Sequence, residues 1–204
     1  MGLFLAMSGV VAGSTDAVVE TLRTYAEGNA GTLEEAASTT DHCLSIGEAA
    51  GGVTVVYPDG FLGWDSVSQA LSERLDKPVF SFHIHDGDLW MYLLYEKGNV
   101  VDQFNPVPGY WEEIGEEERR SWLGDAVKVA SHVPGLAPDQ VSRYLVQWDD
   151  LLLLWKEPRK AYATDRFHYG EDWQLIDFMD KLGFAYPASD RDGPRTTYRF
   201  TCSG

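Results

Sequence analysis

Residues 79–95, Val-Phe-Ser-Phe-His-Ile-His-Asp-Gly-Asp-Leu-Trp-Met-Tyr-Leu-Leu-Tyr, decide how this chain is built. Asp86-Gly87, set between two runs of aromatic and β-branched residues, is the strongest short-range signal for a β-hairpin. Alternation places Phe80, Phe82 and Ile84 on one face of the first strand and Ser81, His83 and His85 on the other. A two-residue turn would set His85 opposite Asp88, His83 opposite Trp90 and Ser81 opposite Tyr92. In that register two histidines, a carboxylate and two aromatics share one sheet face. Such a face reads either as a ligand or metal surface or as a row of well-paired outer residues.

Working outward, Lys97-Gly98-Asn99 is a second turn signal and feeds a strand over Val100–Phe104. Upstream, residues 2–8 read as a buried strand, and Gly9 to Gly13 as a bend. Ser14, Thr15 or Asp16 caps a helix to about Glu27, with Val18, Leu22 and Tyr25 near one face. A polar connection then leads to a short strand around His42–Ile46, and Gly51-Gly52 turns into Val53–Tyr57. Pro58-Asp59-Gly60 is a turn, and Asp65 or Ser66 caps a helix carrying Val67, Leu71 and Leu75. The order strand, helix, strand, strand, helix, strand predicts an α+β fold. Its expected form is a ferredoxin-like (βαββαβ), antiparallel-rich sheet over residues 1–106, extended by the hairpin.

Composition changes after Asn105-Pro-Val-Pro108. The spacing predicts a mainly helical region over 107–204, packed on the sheet as part of one structural unit. A helix is expected through Trp122, Val127 and Val129 to His132, broken at Pro134 to Pro138. Another should start at Asp139 and carry Val141, Tyr144, Leu145 and Trp148. Leu151–Trp155 is too short to assign by periodicity. A last helix runs from about Asp172 to Leu182, where Gly183 stops it. The tail alternates at Thr196, Tyr198, Phe200 and Cys202 and reads as a returning strand.

The 204 residues carry 32 acids against 16 bases, a net charge of −16. That balance opposes binding to a nucleic-acid backbone or to an anionic membrane surface, and it suits solubility and a basic protein partner. The two cysteines, Cys43 and Cys202, do not make a disulfide framework and fit reduced thiols in the cytoplasm. The apolar start lacks a basic n-region and reads as a first strand rather than a secretion signal. No stretch approaches the length needed to span a bilayer.

His83-x-His85 is the strongest metal candidate, with Asp88 as a third ligand or as the group that orients a histidine. No cofactor is expected; zinc or another divalent metal belongs to the alternative in which this row is a metal site. The hydrolase pattern His-x-His-x-Asp-His is not met, and His42 or His168 would have to complete the site. There is no Gly-x-Ser-x-Gly elbow and no phosphate-binding glycine motif. His42 and Cys43 are adjacent, which on a strand sends them to opposite faces. Aromatics gather at Trp90, Tyr92, Tyr95, Phe104, Tyr110 and Trp111, and again over Phe167–Trp173. They read either as a binding surface or as a core between sheet and helices. Glu112, Glu113, Glu116, Glu117 and Glu118 form an acidic run beside the first group.

Two stretches, Leu94-Tyr-Glu-Lys-Gly-Asn-Val-Val-Asp-Gln-Phe-Asn-Pro106 and Phe167-His-Tyr-Gly-Glu-Asp-Trp-Gln-Leu-Ile-Asp-Phe-Met-Asp-Lys-Leu-Gly183, resemble segments of uncharacterised bacterial proteins of similar size. The resemblance implies a bacterial cytosolic protein and carries over no catalytic residue. Small acidic α+β proteins of this type recur among immunity and accessory proteins of bacterial conflict systems. The residues favour a non-enzymatic, acidic cytoplasmic interaction protein. Trp90, Tyr92, Tyr110 and Trp111 are its expected anchors and the five glutamates its rim. A metal-dependent hydrolase using His83 and His85, and a small-molecule-binding module on the same face, are the alternatives. Sheet edges of this kind can also pair between copies, which allows a homodimer.

Overall fold

The computed structural model describes residues 2–36, 43–58, 61–148, 158–186 and 195–201. Within them the chain is mixed α+β, built on an eight-stranded antiparallel sheet. The elements run β1 (Leu5–Val11), α1 (Thr15–Gly28), β2 (Thr32–Ala36), β3 (Cys43–Ala49), β4 (Gly52–Val56), α2 (Trp64–Leu75), β5 (Val79–His85), β6 (Leu89–Glu96) and β7 (Asn99–Phe104). After these come α3 (Glu116–Ser121), α4 (Ala126–His132), α5 (Gln174–Leu182) and β8 (Thr196–Thr201). Spatially the strands lie in the order β2-β8-β3-β4-β1-β5-β6-β7. No helix among the described residues is long and apolar enough to cross a membrane.

The hairpin forms where expected but in a different register. Asp86 and Gly87 both take positive φ, 52° and 73°, and the Asp88 amide donates to the His85 carbonyl at 3.0 Å. The ladder then resumes at His85 opposite Leu89, so Asp88 is one residue too many on its strand. An extra residue of this kind turns every later side chain to the other face. Ile84 therefore pairs with Trp90 and Phe82 with Tyr92, while His83 faces Met91. The physical reason lies in the apolar pattern. This register sets Trp90, Tyr92 and Leu94 beside Phe80, Phe82 and Ile84, and all six are fully buried. The backbone of residues 2–3 fastens the turn: the Gly2 amide donates to Asp86 Oδ1 at 2.9 Å and the Gly87 amide to the Leu3 carbonyl at 2.9 Å.

Each sheet face has its own core. Val18, Leu22 and Ala26 of α1 and Val67 and Leu71 of α2 cover Val10, Val53, Val55, Ile46 and Tyr198. The opposite face, over β1, β5, β6 and β7, is covered by the segment between β7 and β8. There Phe178 of α5 lies against Phe82, Trp90, Tyr92 and Tyr144, with ring centroids 5.1–6.5 Å apart. Two of the buried rings have their polar ends satisfied: Trp90 Nε1 donates to Gln174 Oε1 at 3.3 Å and Tyr92 Oη to Asp102 Oδ2 at 2.6 Å.

Several sequence expectations are corrected. Gly9 is not in a bend but inside β1, where the Phe184 ring crosses bare backbone; a Cβ there would lie 2.9 Å from it. Thr32–Ala36 is a strand, and α2 starts at Trp64 after Gly63, ahead of the expected caps. The covering segment is not a run of long helices. Gly124, at φ 69°, divides α3 from α4, and Asp125 Oδ1 caps α4 by accepting from the Val127 and Lys128 amides at 2.8 and 3.2 Å. Pro138–Gln140 forms only a 3-10 turn, so Val141, Tyr144 and Trp148 reach the core from irregular chain. The expected last helix is present and closes on Gly183 at φ 81°, with the Phe184 amide donating to the Met179 carbonyl. Asp59, Gly60, His42, Leu151–Trp155 and Cys202 lie outside the described residues.

These placements separate a core ring from a surface side chain. Trp90→Ala should lower the unfolding free energy by about 3–5 kcal/mol in urea denaturation, as truncation of a core aromatic does. Leu62→Ala, at a side chain 87% exposed, should stay within about 0.5 kcal/mol.

Candidate functional site

The row Ser81, His83, His85 lies on the α2 side of the sheet, and its neighbours on β1 are small: Ser8 pairs with Ser81 and Ala6 with His83. Small residues let α2 approach closely. Ser68 of α2 lies 2.6 Å from the Ser8 hydroxyl and donates to Ser81 Oγ at 2.9 Å, and Ser8 Oγ lies 2.5 Å from Tyr57 Oη. These four hydroxyls are buried and satisfy one another, so they fix the height of α2 above the sheet. One turn earlier, Trp64 lies flat on His83, with centroids 4.8 Å apart and planes 2° from parallel.

His85 ends the row and gathers exposed rings. Phe4, Tyr110 and Trp111 stand edge-on to its imidazole at centroid distances of 5.0, 5.6 and 4.9 Å. Trp111 Nε1 donates to His85 Nε2 at 3.3 Å, which assigns the imidazole proton to Nδ1 in the neutral ring. Tyr110 Oη donates to Asp88 Oδ2 at 2.5 Å, and that carboxylate raises the phenol above its ordinary range. Phe4, Tyr110 and Trp111 remain 42%, 37% and 54% exposed. The result is an aromatic surface around His85 with Asp86, Asp88, Glu112 and Glu113 beside it in the chain.

A cavity of about 180 Å³ opens beside this surface, walled by Phe4, Ala6, Pro58, Phe61, Trp64 and His83. His83 Nδ1 is buried with no hydrogen-bond partner among the described residues. Burial, and secondarily the neighbouring His85, push the His83 pKa down to about 4, so the ring is neutral at pH 7.

The expected site residues separate into three groups. Tyr110 and Trp111 meet His85 and Asp88 at the surface, whereas Trp90 and Tyr92 are core residues because of the one-residue change in register. Glu112 and Glu113 are exposed beside Trp111. Glu116, Glu117 and Glu118 form the first turn of α3, where Arg119 and Arg120 complete a charge pattern that favours the helix dipole. His83, His85 and Asp88 do not converge as ligands, since Asp88 turns to Tyr110. No group of three or more His, Cys, Asp or Glu side chains among the described residues is placed to hold a metal ion. His168 pairs with Glu171 instead, at 3.0 Å. Phe4, Phe61 and Trp64 were missed by sequence reasoning. Phe61-Leu62 directly after a turn, with Trp64 opening a helix after Gly63, was the signal available.

The depressed pKa of His83 has a consequence for stability. The unfolded chain takes up a proton at this histidine near pH 6.5 while the folded chain resists until about pH 4. Its contribution is thus complete above pH 6.5 and is lost as the pH falls toward 4. His83→Phe should flatten the stability profile over that window relative to wild type, measured by denaturant midpoints at a series of pH values.

No family model matches this chain, and no curated protein or solved structure is significantly similar to it. What the site does is therefore read from its own geometry.

Proposed function

We propose that this is a non-enzymatic, acidic interaction protein of the cytoplasm that docks a basic protein through the aromatic surface around His85. The observation that carries the reading is the exposure of Phe4, Tyr110 and Trp111 together, each seated on one imidazole. Aromatic rings fixed in place and left open to water are the usual anchors of a protein interface, because they bring large contact area at little entropic cost. Tyr110 is oriented by Asp88 and Trp111 by His85, so both are set before a partner arrives. Asp86, Asp88, Glu112 and Glu113, within a net charge of −16, favour a partner with lysines and arginines at its rim.

The same reading takes β1, α1, β3, β4, α2 and β5 as a ferredoxin-like unit. The strand order β3-β4-β1-β5 with antiparallel neighbours supports it, as do two helices on one face. Strands β6 and β7 then extend the unit and present the docking surface at the end of the hairpin.

Immobilised wild-type protein and Trp111→Ser should be compared as bait against a native bacterial extract. A specific partner should be retained by wild type, released by raised salt and lost in the variant. With that partner purified, Trp111→Ser should weaken binding by about 30-fold or more, the measure of a hot-spot residue. A partner held equally by both proteins, or one insensitive to salt, would sink the reading.

A further inference from the structure

We infer that the cavity between Trp64 and Phe4 is a binding site for a small, uncharged, single-ring aromatic molecule bearing one hydrogen-bond acceptor, with Nε2–H of His83 as the donor that meets it. The inference goes beyond the docking reading and uses other residues, sharing only Phe4 with it.

Size sets the class of ligand. At about 180 Å³ the cavity exceeds the roughly 150 Å³ known to accept benzene, and falls below the roughly 300 Å³ at which drug-sized sites begin. One six-membered ring with a short substituent fits it. The space is also held open. Ser68 anchors α2 to β1 and β5 and its hydroxyl lies 2.9 Å from the Trp64 carbonyl, while Trp64 is pinned flat on His83. The Trp64 wall cannot shift with α2 without breaking that hydroxyl cluster. Leu62, lining the cavity yet almost wholly exposed, stands at its mouth.

Chemistry sets the rest. Phe4, Ala6, Pro58, Phe61 and Trp64 supply apolar wall, and among the described residues His83 is the one ionisable side chain lining the cavity. Its Nδ1 is sealed without a partner, whereas the residue as a whole is only half-buried, so the ring meets the open side through Nε2. A sealed N–H without an acceptor is rarer in proteins than an under-used lone pair, so the proton resides on Nε2. The ring therefore offers a donor. A charged ligand would lose its hydration against apolar wall and a neutral imidazole, with no counter-charge among the described lining residues. An uncharged ring with a carbonyl or ether oxygen satisfies both requirements.

The test titrates the full chain with acetophenone and with isopropylbenzene, which has nearly the same shape and no acceptor, following amide and indole signals by NMR. Both should bind saturably at one site and shift the Trp64 indole and His83 amide signals, with acetophenone about fivefold tighter, the worth of one neutral hydrogen bond. In His83→Phe, which keeps a ring beneath Trp64, acetophenone should fall to the affinity of isopropylbenzene. Ala6→Phe should abolish both, and Trp111→Ser should change neither, which separates this site from the docking surface. Absence of saturable binding in wild type, equal affinities there, or shifts centred on Trp111 would each overturn the inference. These three outcomes need no variant to fold.

Discussion

The one-residue offset after the Asp86-Gly87 turn governs the chemistry of both faces of the sheet. A strand has only two sides, so the hairpin register allots Trp90, Tyr92 and Leu94 together to one of them. With these three in the interior, Phe178, Tyr144 and Phe184 have rings to pack against, and the segment between β7 and β8 acquires its core. The same allotment leaves the histidine row facing Met91 and Leu93 on its own sheet and only small residues on β1. An extra residue near the tip thus separates a dense aromatic interior from an open polar row.

That row is asymmetric along its length. At one end the hydroxyls of Ser8, Ser68, Ser81 and Tyr57 close on each other, and burial drives the Tyr57 phenol far above its ordinary range. At the other end His85 is wrapped by exposed rings. His83 sits between them with Trp64 above it and His85 beside it. The gradient from sealed network to open surface follows from the length of α2, which begins at Trp64 and does not reach over His85.

Much of this was legible in the sequence, and the losses have physical causes. The first strand, the two helices that cover its face and the closing Gly183 follow from short-range periodicity and turn chemistry. The sheet face of Ser81, His83 and His85 was legible for the same reason. The partner register was not, because Asp86-Gly87 makes the same turn whether the ladder restarts at Asp88 or Leu89. Only the burial of Trp90 and Tyr92, a property of residues 144–186, decides between them. Likewise the apolar spacing of Val141, Tyr144 and Trp148 imitates a helix while irregular chain delivers the same side chains. The surface at His85 joins residues 4, 85, 110 and 111, and the cavity joins residues 4, 6, 58, 61, 64 and 83. Neither set shares a local pattern.

Strand β8 carries a consequence for how the chain reaches this state. It lies between β2 and β3, so among the described residues β2 has no other neighbour and β3 has an unpaired side until residues 196–201 arrive. During synthesis the ribosome has already released both earlier strands while their common partner is still unmade. Leu33, Leu44 and Ile46 must wait with their edges open, which is where chaperones bind and where nascent chains aggregate. Loss of residues 196–201 would leave the aromatic half intact and undo the far side of the sheet.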